Sequence, residues 1–207
     1  TGRKMNKSVD INQRIPLAVL KIAIESYLSD TYDQDYIVEQ LQLEYSGPNR
    51  INKSLRIINK ILRSDPVGLL KENSELSFQL LKRRYDKNII LIALLNSAFP
   101  FSFEVLSLFG KYFSVQDVVS SEIIKKSIAA VYGGNRSTEN GLYSVIPMFL
   151  EAGLFKRSAQ GIYEIVQVEH FLHEFSLEIF KESFKVNNRR VFIDCDIYNP
   201  YFIFTRS

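Results

Sequence analysis

Apolar residues recur along the first half of the chain at helical spacing. Leu17, Leu20, Ile24 and Leu28 mark one amphipathic helix, and Tyr36, Ile37, Leu41 and Leu43 mark a second, which Ser46 and Gly47 end. Pro48 suits the first turn of a third helix, because its fixed φ is helical and its missing N–H would have no partner there. At about 100° per residue, Ile51, Leu55, Ile58, Ile61 and Leu62 gather on one side of that helix, with Arg50, Lys53, Arg56, Lys60 and Arg63 on the other. A later apolar helix runs through Ile89, Ile90, Ala93 and Leu94. Pro100 disfavours helix at the residue before it, so the pattern breaks at Phe99. Residues 15–113 therefore predict almost continuous helix with a joint at 98–103, where Phe99, Phe101 and Phe103 read as packing.

From residue 120 to 166 the pattern changes. Ile123, Ile124, Ile128 and Val131 share one face of a helix over 121–132, which Gly133, Gly134 and Asn135 end because these residue types accept positive φ. A second helix starts at once, with Ser137 or Thr138 as its cap and Leu142, Tyr143, Ile146, Phe149 and Leu150 as its apolar positions up to Gly153. Two residues oppose it: Gly141 lowers helix propensity by about 1 kcal/mol, and Pro147 removes a backbone hydrogen bond. Residues 154–157 and 161–166 then read as short strands around Ser158, Ala159 and Gln160, a ribbon with a basic tip.

Two helices followed by such a ribbon predict a winged helix-turn-helix-like unit. Residues 169–185 predict a further amphipathic helix, and 191–204, rich in β-branched and aromatic residues, a strand or hairpin turning at Asn199 and Pro200. The predicted fold class is mainly α. A helical bundle with a basic face covers 1–98; a winged-helix-like domain with a small α/β C-terminal extension, a helix and a hairpin, covers 99–207.

With 207 residues and 46% hydrophobic content the chain can bury a real core. No uninterrupted apolar run reaches the roughly 18 residues of a membrane span, since Asn96, Ser97 and Pro100 break the best stretch, so no membrane partner is expected. Thr1 to Lys4 read either as a cloning remnant ahead of a start at Met5 or as the edge of a truncation, and no secretory signal is visible. The single cysteine, Cys195, fits a reducing interior and makes the cytoplasm the expected location. Net charge is only +3, but residues 49–87 hold ten Lys or Arg against four acids, so the remainder of the chain is acidic.

That segment supplies the first candidate chemistry. A cationic helix face without interleaved acids has no local ion-pair partner, and its natural partner is an external polyanion; a solvated face is the plainer reading for an isolated helix. Lys82, Arg83, Arg84 and Lys87 form a second cluster and shift the balance toward nucleic acid. In a helix-turn-helix the start of the second helix meets base edges and phosphates, here Arg136, Ser137, Thr138, Asn140 and Ser144, with Lys156, Arg157 and Gln160 on the wing.

Catalytic signals are sparse. His170 and His173, spaced i and i+3, lack the further ligands a metal needs. Asp194 and Asp196 would share one face of a strand, as in a metal-dependent nuclease, but no Lys or Glu motif accompanies them. No Gly-rich phosphate loop or nucleophile arrangement is present, so neither an enzyme nor a cofactor is expected.

The order of elements resembles the BrxA family of BREX phage-defence systems. The resembling residues are Tyr36, Ile37, Val38 and Glu39; the basic helix over 49–62; Ile92, Ala93, Leu94 and Leu95 leading to Phe99, Pro100 and Phe101; and Ser137 and Thr138 leading to the block from Phe149 and Leu150 through Glu151, Ala152 and Gly153 to Leu154 and Phe155. The resemblance implies a helical bundle joined to a winged-helix-like half, and a non-enzymatic accessory that binds double-stranded DNA with little sequence specificity beside other defence-system subunits. A protein-interaction adaptor and the metal-dependent nuclease are the alternatives.

Overall fold

The computed structural model describes residues 6–167 and 171–206. Among these residues the chain is mainly helical, with one small antiparallel sheet. Seven helices come first: α1 (Leu17–Leu28), α2 (Gln34–Gln42), α3 (Pro48–Leu62), α4 (Asp65–Glu72), α5 (Ser74–Leu81), α6 (Arg84–Ala98) and α7 (Pro100–Phe113). Then follow β1 (Val118–Ser120), α8 (Ser121–Tyr132), α9 (Arg136–Glu151), β2 (Phe155–Ala159), β3 (Ile162–Ile165) and α10 (Glu174–Asn188).

The bundle is built around α6. Every residue from Ile89 to Leu95 is 0% exposed, the signature of a helix surrounded on all sides rather than one with a solvent face. α3, α5, α7 and α10 pack around it. By contrast α3 is amphipathic: Pro48 occupies its first turn, and Ile51, Ile57, Ile58, Ile61 and Leu62 are buried. The apolar core continues without a break into α8, α9 and the sheet through Phe109, which stacks on Phe155 with centroids 4.4 Å apart.

The sheet has strand order β1-β3-β2, all antiparallel, with Val119 opposite Tyr163 and Phe155 opposite Ile165. The β1 strand was not expected from the sequence. The helix predicted over 121–132 matches α8, where the Ser120 hydroxyl accepts the Ile123 N–H and Gly133, at φ 90°, stops the helix. For α9 the cap is Asn135, whose Oδ1 accepts the Thr138 N–H at 3.0 Å, instead of Ser137 or Thr138. The helix passes through Pro147; the lost bond concerns the carbonyl of Tyr143, a residue 64% exposed, where water can take its place. Gly141 is required where it stands. A Cβ there would lie 2.7 Å from Phe101 of α7 and from Val9 of the N-terminal segment, so the absent side chain lets three pieces of chain meet.

The C-terminal hairpin is not formed. Residues Asp194–Tyr198 and Pro200–Thr205 are two 3₁₀ helices. Asp196 turns its carboxylate back onto the Ile193 N–H and the Arg190 guanidinium, and Asn199 caps the second helix, accepting the Tyr201 N–H ahead of Pro200 in its first turn. Tyr201, Phe202 and Phe204 are all buried, a spacing incompatible with the strict alternation of a strand. Tyr201 stacks on Phe180 of α10 at 4.5 Å and joins a buried polar chain, accepting from Asn96 Nδ2 at 3.0 Å and sharing a hydrogen bond with Ser183 at 2.7 Å. The helix predicted over 169–185 starts at Glu174 as α10; Glu169 and His170 lie outside the described residues, as do Thr1 to Met5.

Candidate nucleic-acid interface

A cleft of about 1090 Å³ opens where the first turn of α6 meets the end of α9 and the start of the β2–β3 ribbon. Arg83 and Arg84 line it from α6, Lys156 and Arg157 from β2. Two sequence-predicted clusters that are far apart along the chain thus share one concavity. Its geometry is fixed by two buried ties. Asn88 of α6 donates to the Ala152 carbonyl at the end of α9 at 3.0 Å, setting the separation of the walls. Asp86, 1% exposed, accepts the His173 N–H at 2.9 Å and the Ser176 hydroxyl at 2.6 Å through one oxygen, locking α6 to the start of α10.

The other Asp86 oxygen lies 3.1 Å from Arg83 Nε. A guanidinium held by its Nε keeps its terminal nitrogens available, so this pair orients Arg83 without consuming it. Arg157 lies over the Tyr163 ring at 5.8 Å, and Lys156 meets Glu164 across the strands at 3.7 Å, where both side chains are exposed enough for the pair to be weak. Among the described residues no carboxylate pairs with Arg84 or Arg157. Lys87 lies in an adjoining recess with Lys21, Arg84 and Glu151. There the Glu151 pKa is raised, because partial removal from water outweighs the opposing Leu17 N–H and Arg14. Lys82 is exposed beside Arg83.

On α9 the exposed residues include Arg136, Ser137, Asn140 and Tyr143, a stripe that runs toward Pro147 and Leu150 at the rim of the cleft. Thr138 and Ser144 are buried, Thr138 donating to Asn135 and Ser144 to the Asn140 carbonyl, and neither faces solvent with the stripe. Glu139 is also exposed here. Tyr143, assigned to the apolar face by spacing, points outward instead.

None of the five α3 cations lines the cleft. Arg56 and Arg63 are exposed and Lys53 is half-buried. Arg50 lies 5.9 Å from the Tyr45 ring and Lys60 lies 4.6 Å from the Phe99 ring, so part of this face is engaged by the protein's own aromatics. Sequence reasoning missed Lys21, Asn88 and Asp86. Only Asp86 carried a local hint, its i, i+3 spacing from Arg83.

Among the described residues no group of three or more His, Cys, Asp or Glu could hold a metal ion. His173 caps α10, its Nδ1 accepting the Phe175 N–H at 3.0 Å. The strand that would align Asp194 with Asp196 is absent, and Asp196 is bound bidentately by Arg190 at 2.7 Å. Among the described residues no helix is long and apolar enough to cross a membrane. No family model, curated protein or solved structure matches the chain.

Proposed function

We propose that the protein is a non-enzymatic, double-stranded DNA-binding protein that reads phosphates more than bases. The observation that carries this reading is the convergence of Arg83 and Arg84 with Lys156 and Arg157 on one cleft. Such a group of cations, with Asp86 the single buried carboxylate among the described lining residues, attracts a polyanion and releases its counterions on binding. The exposed α9 stripe of Arg136, Ser137, Asn140 and Tyr143 adjoins it.

The succession α7, β1, α8, α9, β2, β3 with strand order β1-β3-β2 supports reading this half as a winged helix-turn-helix, with α9 as the recognition helix and β2–β3 as the wing. Side chains suited to bidentate base readout are few on α9, which favours low sequence specificity. The resemblance to BrxA supports a place as a cytoplasmic accessory of a phage-defence system beside its other subunits.

A titration with random-sequence duplex DNA and matched RNA, at roughly 50 and 200 mM salt, tests the reading. Duplex binding that weakens by about tenfold or more between the two is expected, with a shallower salt slope in Arg84→Glu/Arg157→Glu. Absence of binding even at low salt refutes it. A second reading, docking of another subunit, is favoured by the exposed Val191, Ile193 and Tyr198 near the C-terminus. A complex with a co-expressed neighbour that survives salt sufficient to strip DNA, and is lost in Tyr198→Glu, would support it.

A further inference from the structure

The 1090 Å³ cleft is more than a cationic patch. Its volume is close to the upper end of small-molecule sites, so it can seat a compact ligand as well as meet phosphates. Its lining is also of two kinds. Beside the guanidinium and ammonium groups lie Pro147, Leu150 and Val166, and Phe171, which is 79% exposed. An exposed phenyl ring next to these cations suits a ligand with a flat apolar part joined to an anion. A nucleotide has that chemistry: its base stacks on an aromatic face and its phosphate pairs with guanidinium.

We infer that this cleft binds a single unpaired nucleotide, with its phosphate between Arg83 or Arg84 and Arg157 and its base against Phe171 and the Leu150 side. The walls need not move to form the site, because the Asn88 bond to Ala152 already fixes their spacing and the Asp86 pair already aims Arg83. The nucleotide can be free or belong to an unpaired strand beside a duplex. The strand-borne case rests on the duplex-binding reading above; the free case does not.

The full chain is titrated with deoxyadenosine monophosphate, with inorganic phosphate, with a blunt duplex, and with the same duplex carrying a short single-stranded overhang. Phe171→Ala is measured alongside, since its exposure makes it tolerant of truncation. The expected result is an overhang duplex bound about tenfold more tightly than the blunt one, as one stacked base allows. Phe171→Ala removes that preference and leaves blunt-duplex affinity within about twofold of the parent. Binding of the mononucleotide above inorganic phosphate, lost in Phe171→Ala but without an overhang preference, identifies the free nucleotide as the source. Mononucleotide binding with no duplex binding at all removes the DNA reading and leaves this inference standing. Equal affinity for blunt and overhang duplexes, together with no mononucleotide binding, overturns it.

Discussion

Replacing Asp86 with alanine would remove the acceptor that ties α6 to the start of α10 and orients Arg83. One oxygen takes both the His173 N–H and the Ser176 hydroxyl; Ser176 is 0% exposed and His173 is half-buried, so the hydroxyl above all is left without water when the carboxylate goes. Each buried donor left without a partner costs about 1–3 kcal/mol. Arg83, about half-exposed, returns to water and adds little. The expected loss is therefore about 2–4 kcal/mol, the larger share from the Ser176 hydroxyl. In urea unfolding followed by circular dichroism, the midpoint should fall with an unchanged m-value. Asp86→Asn keeps an oxygen for both donors and loses only the Arg83 pair, so about 1 kcal/mol is expected. An alanine variant within about 1 kcal/mol of the parent would refute the argument, as would an asparagine variant as unstable as alanine.

Gly110→Ala should destabilise by about 1–3 kcal/mol in the same assay, because its Cβ would overlap the Pro200 carbonyl and the second 3₁₀ helix would have to shift; no loss would mean that this helix is loosely held. Arg190 and the Ile193 N–H hold the Asp196 pKa down at about 2, below the ordinary 3.8. Its contribution is thus present above the ordinary value and lost as pH falls toward the folded one, and the Ile193 amide resonance should titrate with a midpoint of about 2 that moves upward in Arg190→Gln. A parent midpoint near the ordinary value contradicts the pairing. Arg56→Glu/Arg63→Glu should weaken duplex binding less than Arg84→Glu/Arg157→Glu, since the α3 cations lie outside the cleft; the reverse order would move the principal phosphate contacts to α3.

Helix positions were legible wherever pattern and punctuation agreed. The apolar period of α8 is bounded by the Ser120 cap and Gly133, and Pro48 opens α3 after Gly47. β1 spans only three residues, too few for alternation to register, and its pairing partner comes after two intervening helices. The C-terminal residues were misread because aromatic and β-branched side chains report burial, not backbone geometry; what set the backbone was Asp196 and Asn199 turning back onto nearby N–H groups. The basic clusters were legible as charge, but their meeting was not. It depends on how α6 packs beside α9 and on Asp86 reaching partners 87 and 90 residues away.

The encirclement of α6 also sets an order on synthesis. Its flanks are covered by helices made before it and by α7 directly after, but α10 emerges only once the sheet, α8 and α9 have been translated. At about 5–20 residues per second, this thoroughly buried helix waits several seconds on the ribosome with one side unclosed. During that interval it is a natural client for a holding chaperone, and a release signal placed ahead of α10 would yield a chain prone to self-association instead of a smaller folded product.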